Sequence, residues 1–209
     1  MLNFSVKEAD ILFEILKARR DVRGNRFLSK PISEEHLDKI FQAALHAPSV
    51  GFSQPWKFVS ITEEAQKQKI FNIFIEENEK ASELFKDTIY SDLKLEGIKE
   101  APVNIAVYYS QKEKAILGQT SMDQVGEYSV VCAIQNMWLM ARALNIGMGW
   151  VSILDSEKVN AVLKAPKDHK LIGYFCLGHV SEFLDSPELE SLKWEKRKNK
   201  EEIIFKETF

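Results

Sequence analysis

Along this chain, stretches whose apolar residues recur at helical spacing take turns with short apolar runs of strand character. Ile11, Leu12, Ile15 and Leu16 fall on one helical face, and Ser5-Val6-Lys7-Glu8 ahead of them has the spacing of a capping box, so a helix is expected to about Lys17. After Pro31, Ser33 is placed to cap a second helix with Leu37, Ile40, Phe41, Ala44 and Leu45 inward, and Pro48 stops it. The stretch from Ala47 to Trp56 is too rich in Pro and Gly to be regular and reads as a shaped loop, followed by a strand at Lys57–Ile61. Residues 63–100 are mostly charged and helical in pattern, with Ile70, Phe71, Phe74 and Ile75 as the apolar face, and are expected to form a surface arm or lid.

Val103–Tyr109 reads as a buried strand. Tyr128–Leu144 is apolar nearly all round and ends at Asn145 and Gly147, so it must be covered on every side. In a chain this size that predicts a central helix which also builds a homodimer interface. Gly149–Leu154 and Leu171–Val180 are two further strands, with a helix between them that Asp155 or Ser156 can cap. The charged C-terminal stretch contains one apolar patch, Ile203-Ile204-Phe205, able to add a strand to a partner's sheet. The fold class expected is α+β, a single domain over 1–209.

Composition narrows this little. The 209 residues are 45% hydrophobic and 28% charged, ordinary for a globular protein, and the net charge of -3 argues against a general nucleic-acid or membrane-surface binder. No run approaches the roughly 20 apolar residues of a membrane span and the start lacks a leader pattern, so a cytoplasmic protein is expected. Cys132 and Cys176 sit in apolar runs and read as small core residues. His36, His46, His169 and His179 lack metal-ligand spacing, and no metal is expected. Gly147-Met148-Gly149 lacks the third glycine of a dinucleotide fingerprint, and Leu154 breaks a nucleophile elbow around Ser152.

Candidate chemistry therefore concentrates in Arg19-Arg20-Asp21-Val22-Arg23-Gly24-Asn25-Arg26, directly after the first helix. Guanidinium groups hold phosphate through paired charge-assisted hydrogen bonds, so this stretch reads as a phosphate grip with a carboxylate built in. Spacing alone leaves two roles for Asp21: a salt bridge that orders the arginines, or a reactive group beside a bound phosphate ester.

In chain order, Arg19-Arg20-x-x-Arg23, Pro48-Ser49-x-Gly51-x-x-Gln54-Pro55-Trp56, Ala133-Ile134-Gln135-Asn136 and Gly147-Met148-Gly149-Trp150 resemble the FMN-binding nitroreductase superfamily over almost the whole chain. The resemblance implies a nitroreductase-like fold with a mixed, mostly antiparallel sheet of four to five strands, a long interface helix and a C-terminal extension. It also implies a homodimer with FMN at the interface. Arg19, Arg20, Val22 and Arg23 would then line the phosphate and ribityl chain, Ser49 and Gln54 would lie near the ring or ribityl groups, Leu95 or equally Leu93 of the arm would touch the flavin, and Arg197 would close the phosphate site.

Asp21 stands where ordinary members of the superfamily carry serine or threonine. With Leu93-Lys94-Leu95-Glu96-Gly97, Gly149-Trp150-Val151-Ser152-Ile153 and the tail Pro187-Glu188-Leu189-Glu190 with Trp194, it is similar to a flavin-consuming branch of the superfamily. There reduced FMN is the substrate and is fragmented with oxygen to the lower ligand of vitamin B12 and erythrose 4-phosphate. That resemblance implies Asp21 as a base near the ribityl carbon and Ser152 at the ring edge, both catalytic. It leaves open whether NAD(P)H reduces the flavin on this protein or a separate flavin reductase delivers it reduced. Two other readings stand beside it: an NAD(P)H-dependent nitroreductase or flavin reductase that recycles FMN, and a flavin-binding protein without turnover.

Overall fold

The computed structural model describes residues 2–86, 88–110 and 114–209. Helix α1 (Val6–Ala18) begins at the expected capping box: Ser5 N–H donates to Glu8 at 2.7 Å and the Glu8 N–H returns to the Ser5 hydroxyl at 3.4 Å. Ser33 caps α2 (Glu34–Leu45) and Asp155 caps α5 (Ser156–Leu163), both through side-chain oxygens on first-turn N–H groups. Between them lie β1 (Trp56–Ile61), α3 (Glu64–Leu84), β2 (Val103–Ser110), α4 (Val125–Ala143) and β3 (Ile146–Val151). After α5 come β4 (His169–His179) and a single-turn α6 (Glu188–Ser191).

The sheet has the order β1-β2-β4-β3, every pair antiparallel. A parallel isolated bridge between Asp21 and Met148 at the β3 edge lays the arginine segment against the sheet. Period-two alternation along β2 divides the interior. Ile105 and Val107 join Ile40, Ile134, Met137 and Phe175 under α2 and α4, while Ala106 and Tyr108 join Ile70, Phe74, Val159 and Tyr174 under α3 and α5.

Several expectations shift. Asn145 adopts the left-handed conformation (φ 56°) and turns the chain straight from α4 into β3, so that strand starts at Ile146 and ends at Val151, leaving Ser152 beyond it. The arm is helical only to Leu84; a short turn at Ile89–Asp92 follows and the chain then runs non-helically through Leu93–Gly97. Cys176 is buried, but Cys132 is exposed on α4, where Tyr128, Val131, Cys132 and Gln135 make an uncovered stripe at helical spacing. Likewise α1 buries none of its residues, and Ile11, Leu12, Phe13 and Leu16 all face outward. Ile203, Ile204 and Phe205 lie outside any strand, each more than half exposed.

Candidate functional site

The segment after α1 is held by its backbone before any side chain acts. Val22 N–H donates to Met148 carbonyl at 3.1 Å, and Trp138 Nε1 donates to the Arg20 carbonyl at 3.1 Å. Gly149 makes this approach possible, because a Cβ there would stand 2.0 Å from the Val22 carbonyl oxygen.

Asp21 is fixed at both oxygens. Oδ1 accepts the Trp150 N–H at 2.8 Å and Oδ2 pairs with Arg23 Nη2 at 2.7 Å. Burial is the largest influence on the carboxyl and pushes its pKa up, against Arg23, the Trp150 N–H and Arg19, which pull it down. Even so, the side chain keeps 31% of its accessible surface, on the side of an open cleft of about 820 Å³.

That cleft brings Arg19, Arg20, Asp21, Arg23 and Arg197 together, with Phe13 and Leu16 of α1 and Leu189 of α6 as apolar wall. The arginines divide into roles that spacing does not reveal. Arg20 donates to the main-chain carbonyls of Lys17 (2.6 Å), Arg19 (2.7 Å) and Leu184 (2.9 Å) and also to that of Asp185, so it ties the C-terminal segment to the end of α1. Arg26 pairs with Glu188 at 2.8 Å. Arg23 serves Asp21 and the Leu95 carbonyl, the latter at 3.1 Å. Arg19 stacks its guanidinium 4.7 Å from the Trp138 ring, and burial lowers its pKa. Among the described residues, neither Arg19 nor Arg197 makes a side-chain hydrogen bond or ion pair, and these two are the cations the cleft presents.

Other predicted site residues lie elsewhere. Val22 is 4% exposed and packs into the core under α3. Leu95 contributes its carbonyl, while its half-buried side chain packs against that same core. Ser152 is exposed just past β3, outside the cleft lining. Ser49 accepts the Gln54 N–H at 3.1 Å within a loop where Gly51, Phe52 and Gln54 all have positive φ, and the loop is pinned by Val50 N–H to Ser129 Oγ at 3.1 Å. Ser129 lies in the first turns of α4, nine residues before Trp138, which supports the arginines. At 1.5 Å per residue that is roughly 13 Å along the helix. Within one chain the two halves of the predicted site stand at different ends of α4.

Sequence reasoning did not single out Glu188, whose charge raises the Asp21 pKa, or Trp138 as the platform beneath Arg19. The first lies in a quoted tail motif and so had a signal; the second reads in sequence as ordinary core packing.

With this geometry in place, comparison with known proteins gives the class. Residues 16–179 match the Nitroreductase family, and the chain belongs to it. Within that family it is similar to the 5,6-dimethylbenzimidazole synthase of Rhodospirillum rubrum, with 40% identity over 194 residues covering 90% of this chain and 91% of that protein. It is 35% identical to the synthase of the same name from Rhodobacter capsulatus, covering 93% and 95%. Its fold is that of oxidized iodotyrosine deiodinase bound to FMN and 3-iodo-L-tyrosine, with a TM-score of 0.74 at 20% identity over 95% of this chain and all of the other.

Proposed function

We propose that this chain is a 5,6-dimethylbenzimidazole synthase, an enzyme that takes reduced FMN and oxygen as substrates and fragments the flavin to 5,6-dimethylbenzimidazole and erythrose 4-phosphate, releasing the remaining pyrimidine portion of the ring system. The observation that carries the reading is Asp21, locked at both oxygens beside two unpaired guanidinium groups in one cleft. A phosphate monoester fits that cleft chemically: Arg19 and Arg197 offer charge-assisted donors with no hydrogen-bond or ion-pair partner among the described residues to displace. Bound reduced flavin supplies the electrons that oxygen takes and the ring retained in the product. The chain supplies the rest. Arg19 and Arg197 hold the phosphate, Arg23 and the Trp150 N–H aim Asp21, and Asp21 accepts a proton from the ribityl carbon next to the ring. Ser152 donates a hydrogen bond at the ring edge.

The working unit in this proposal is a homodimer. Uncovered apolar stripes on α1 and α4 support it, as does the separation of Ser49 and Gln54 from the arginines, which a second copy would complete. Electrons reach the flavin from NAD(P)H on this protein or through a separate flavin reductase.

The test supplies reduced FMN and air and follows flavin by chromatography. A synthase loses FMN and gains a benzimidazole one for one. A recycling nitroreductase oxidises NAD(P)H while FMN persists, and a storage protein does neither. Arg19→Ala and Arg197→Ala are each expected to weaken FMN binding about 10- to 100-fold, from the roughly 1.5–3 kcal/mol of a hydrogen bond to a charged group. Fluorescence titration at two salt concentrations checks this, and unchanged affinity in both variants would remove the grip.

A pH prediction follows from Asp21. As a base it must be ionised, and burial raises its pKa, so the rising limb of kcat/KM should lie above the ordinary carboxylate range near 4. Because Glu188 raises it further, Glu188→Gln is expected to move that limb to lower pH. Stability runs the opposite way: the folded chain holds this proton more tightly than the unfolded one. The contribution of Asp21 is therefore complete below its unfolded pKa and is lost as pH rises through the folded value.

A further inference from the structure

Glu96 is a carboxylate at 3% exposure, outside the cleft, and nothing in the proposed chemistry uses it. A charge at that depth persists only when paired and fully hydrogen-bonded. Its Oε2 accepts the Ile98 N–H at 2.6 Å and its Oε1 pairs with Lys94, whose ammonium also reaches Glu100 at 2.8 Å. Lys94 and Glu96 flank Leu95 in a stretch without regular secondary structure, and their side chains pair across it.

That stretch meets the arginine segment through the carbonyls of consecutive residues. The Leu95 carbonyl accepts from Arg23 Nη1 at 3.1 Å, and the Glu96 carbonyl accepts the Gly24 N–H at 2.8 Å. Gly24 is where the two segments touch, since a Cβ there would lie 2.6 Å from Lys94 Cε and 2.7 Å from Glu100 Oε2. With one Arg23 nitrogen anchored on Leu95, the other is set on Asp21 Oδ2 at 2.7 Å.

We propose that Glu96 and Lys94 are positioning residues for Asp21, acting through the Leu95 carbonyl and the Arg23 guanidinium. The arm thereby sets the orientation and proton affinity of the base without touching it. This rests on the proposed function only for its catalytic meaning; the coupling itself concerns the chain alone. The charged groups around Asp21 are Arg19, Arg20 and Arg23 on its own segment, Glu188 of α6, and Lys17, Asp185, Glu190 and Arg197 along the cleft. Of these, Arg23 is the one the arm holds.

The experiment titrates Asp21 directly in flavin-free protein carrying 13Cγ-labelled aspartate, with the signal assigned by its loss in Asp21→Asn. Arg23→Met should raise the midpoint by removing the paired cation, and Glu96→Gln should raise it in the same direction. The double variant should add nothing to Arg23→Met alone, because both act through one guanidinium. In turnover, Glu96→Gln should lower kcat about 10-fold with FMN affinity unchanged. Lys94→Gln, whose side chain is 35% exposed, reads the same relay should Glu96→Gln not fold, and Lys94→Arg should restore the wild-type midpoint. If Arg23→Met moves the midpoint while neither arm variant does, Glu96 and Lys94 merely fasten the arm and the inference is overturned. If the relay titrates as described but wild-type protein leaves FMN intact, the proposed function fails and the coupling stands.

Discussion

Asp21→Asn is expected to abolish benzimidazole formation, by roughly 10²- to 10⁴-fold as for loss of a general base, while FMN still binds. Asparagine keeps the volume, and its amide oxygen can still accept the Trp150 N–H now held at 2.8 Å. What disappears is the proton acceptor and the partner of Arg23. Folding should change little, because two effects oppose: removing a desolvated charge favours the variant, and losing the ion pair disfavours it. Phosphate binding should survive, since Arg19 and Arg197 are untouched. Single-turnover product yield, measured alongside an FMN titration, separates these outcomes. A rate equal to wild type would remove Asp21 from the chemistry.

Gly149→Ala is expected to damage fold and site together. Its Cβ would fall 2.0 Å from the Val22 carbonyl oxygen, a main-chain atom with no rotamer to change. β3 cannot retreat readily, because Gly149 is registered against Cys176 of β4, which is fully buried. The arginine segment must move instead, stretching the Val22–Met148 bond and the Asp21–Trp150 bond, now 3.1 Å and 2.8 Å. Overpacking of this kind costs about 1–3 kcal/mol, which for a chain of this size lowers Tm by roughly 2–12 °C. FMN affinity and turnover should fall with it. A Gly149→Ala protein with wild-type Tm and wild-type turnover would mean the close approach is unimportant.

Much of this architecture was legible in the sequence because local rules and tertiary packing agree. Ser5, Ser33 and Asp155 cap the helices that the apolar periodicity predicts, and the apolar run 103–109 is a buried central strand. The β3 boundary slipped because a left-handed Asn145 joins helix to strand without a loop, and composition does not show how tight such a turn is. The roles of the arginines were legible as a group but not one by one. Four guanidinium groups of the same chemistry are sorted by what the fold brings to them: carbonyls from residues 184 and 185 for Arg20, Glu188 for Arg26, the arm for Arg23, and an indole for Arg19. Every one of those partners is distant in sequence. The exposed faces of α1 and α4 show the same limit, because an apolar stripe announces that it must be covered and not by what.

Consumption of the flavin is what sets the proposed activity apart from that of a recycling flavoenzyme. Reduced FMN carrying 13C in its dimethyl-substituted ring, mixed with stoichiometric protein and oxygen, tests it most directly. The label is expected in 5,6-dimethylbenzimidazole, one equivalent for each FMN lost. Label remaining wholly in intact FMN, with oxygen consumed or not, would contradict it.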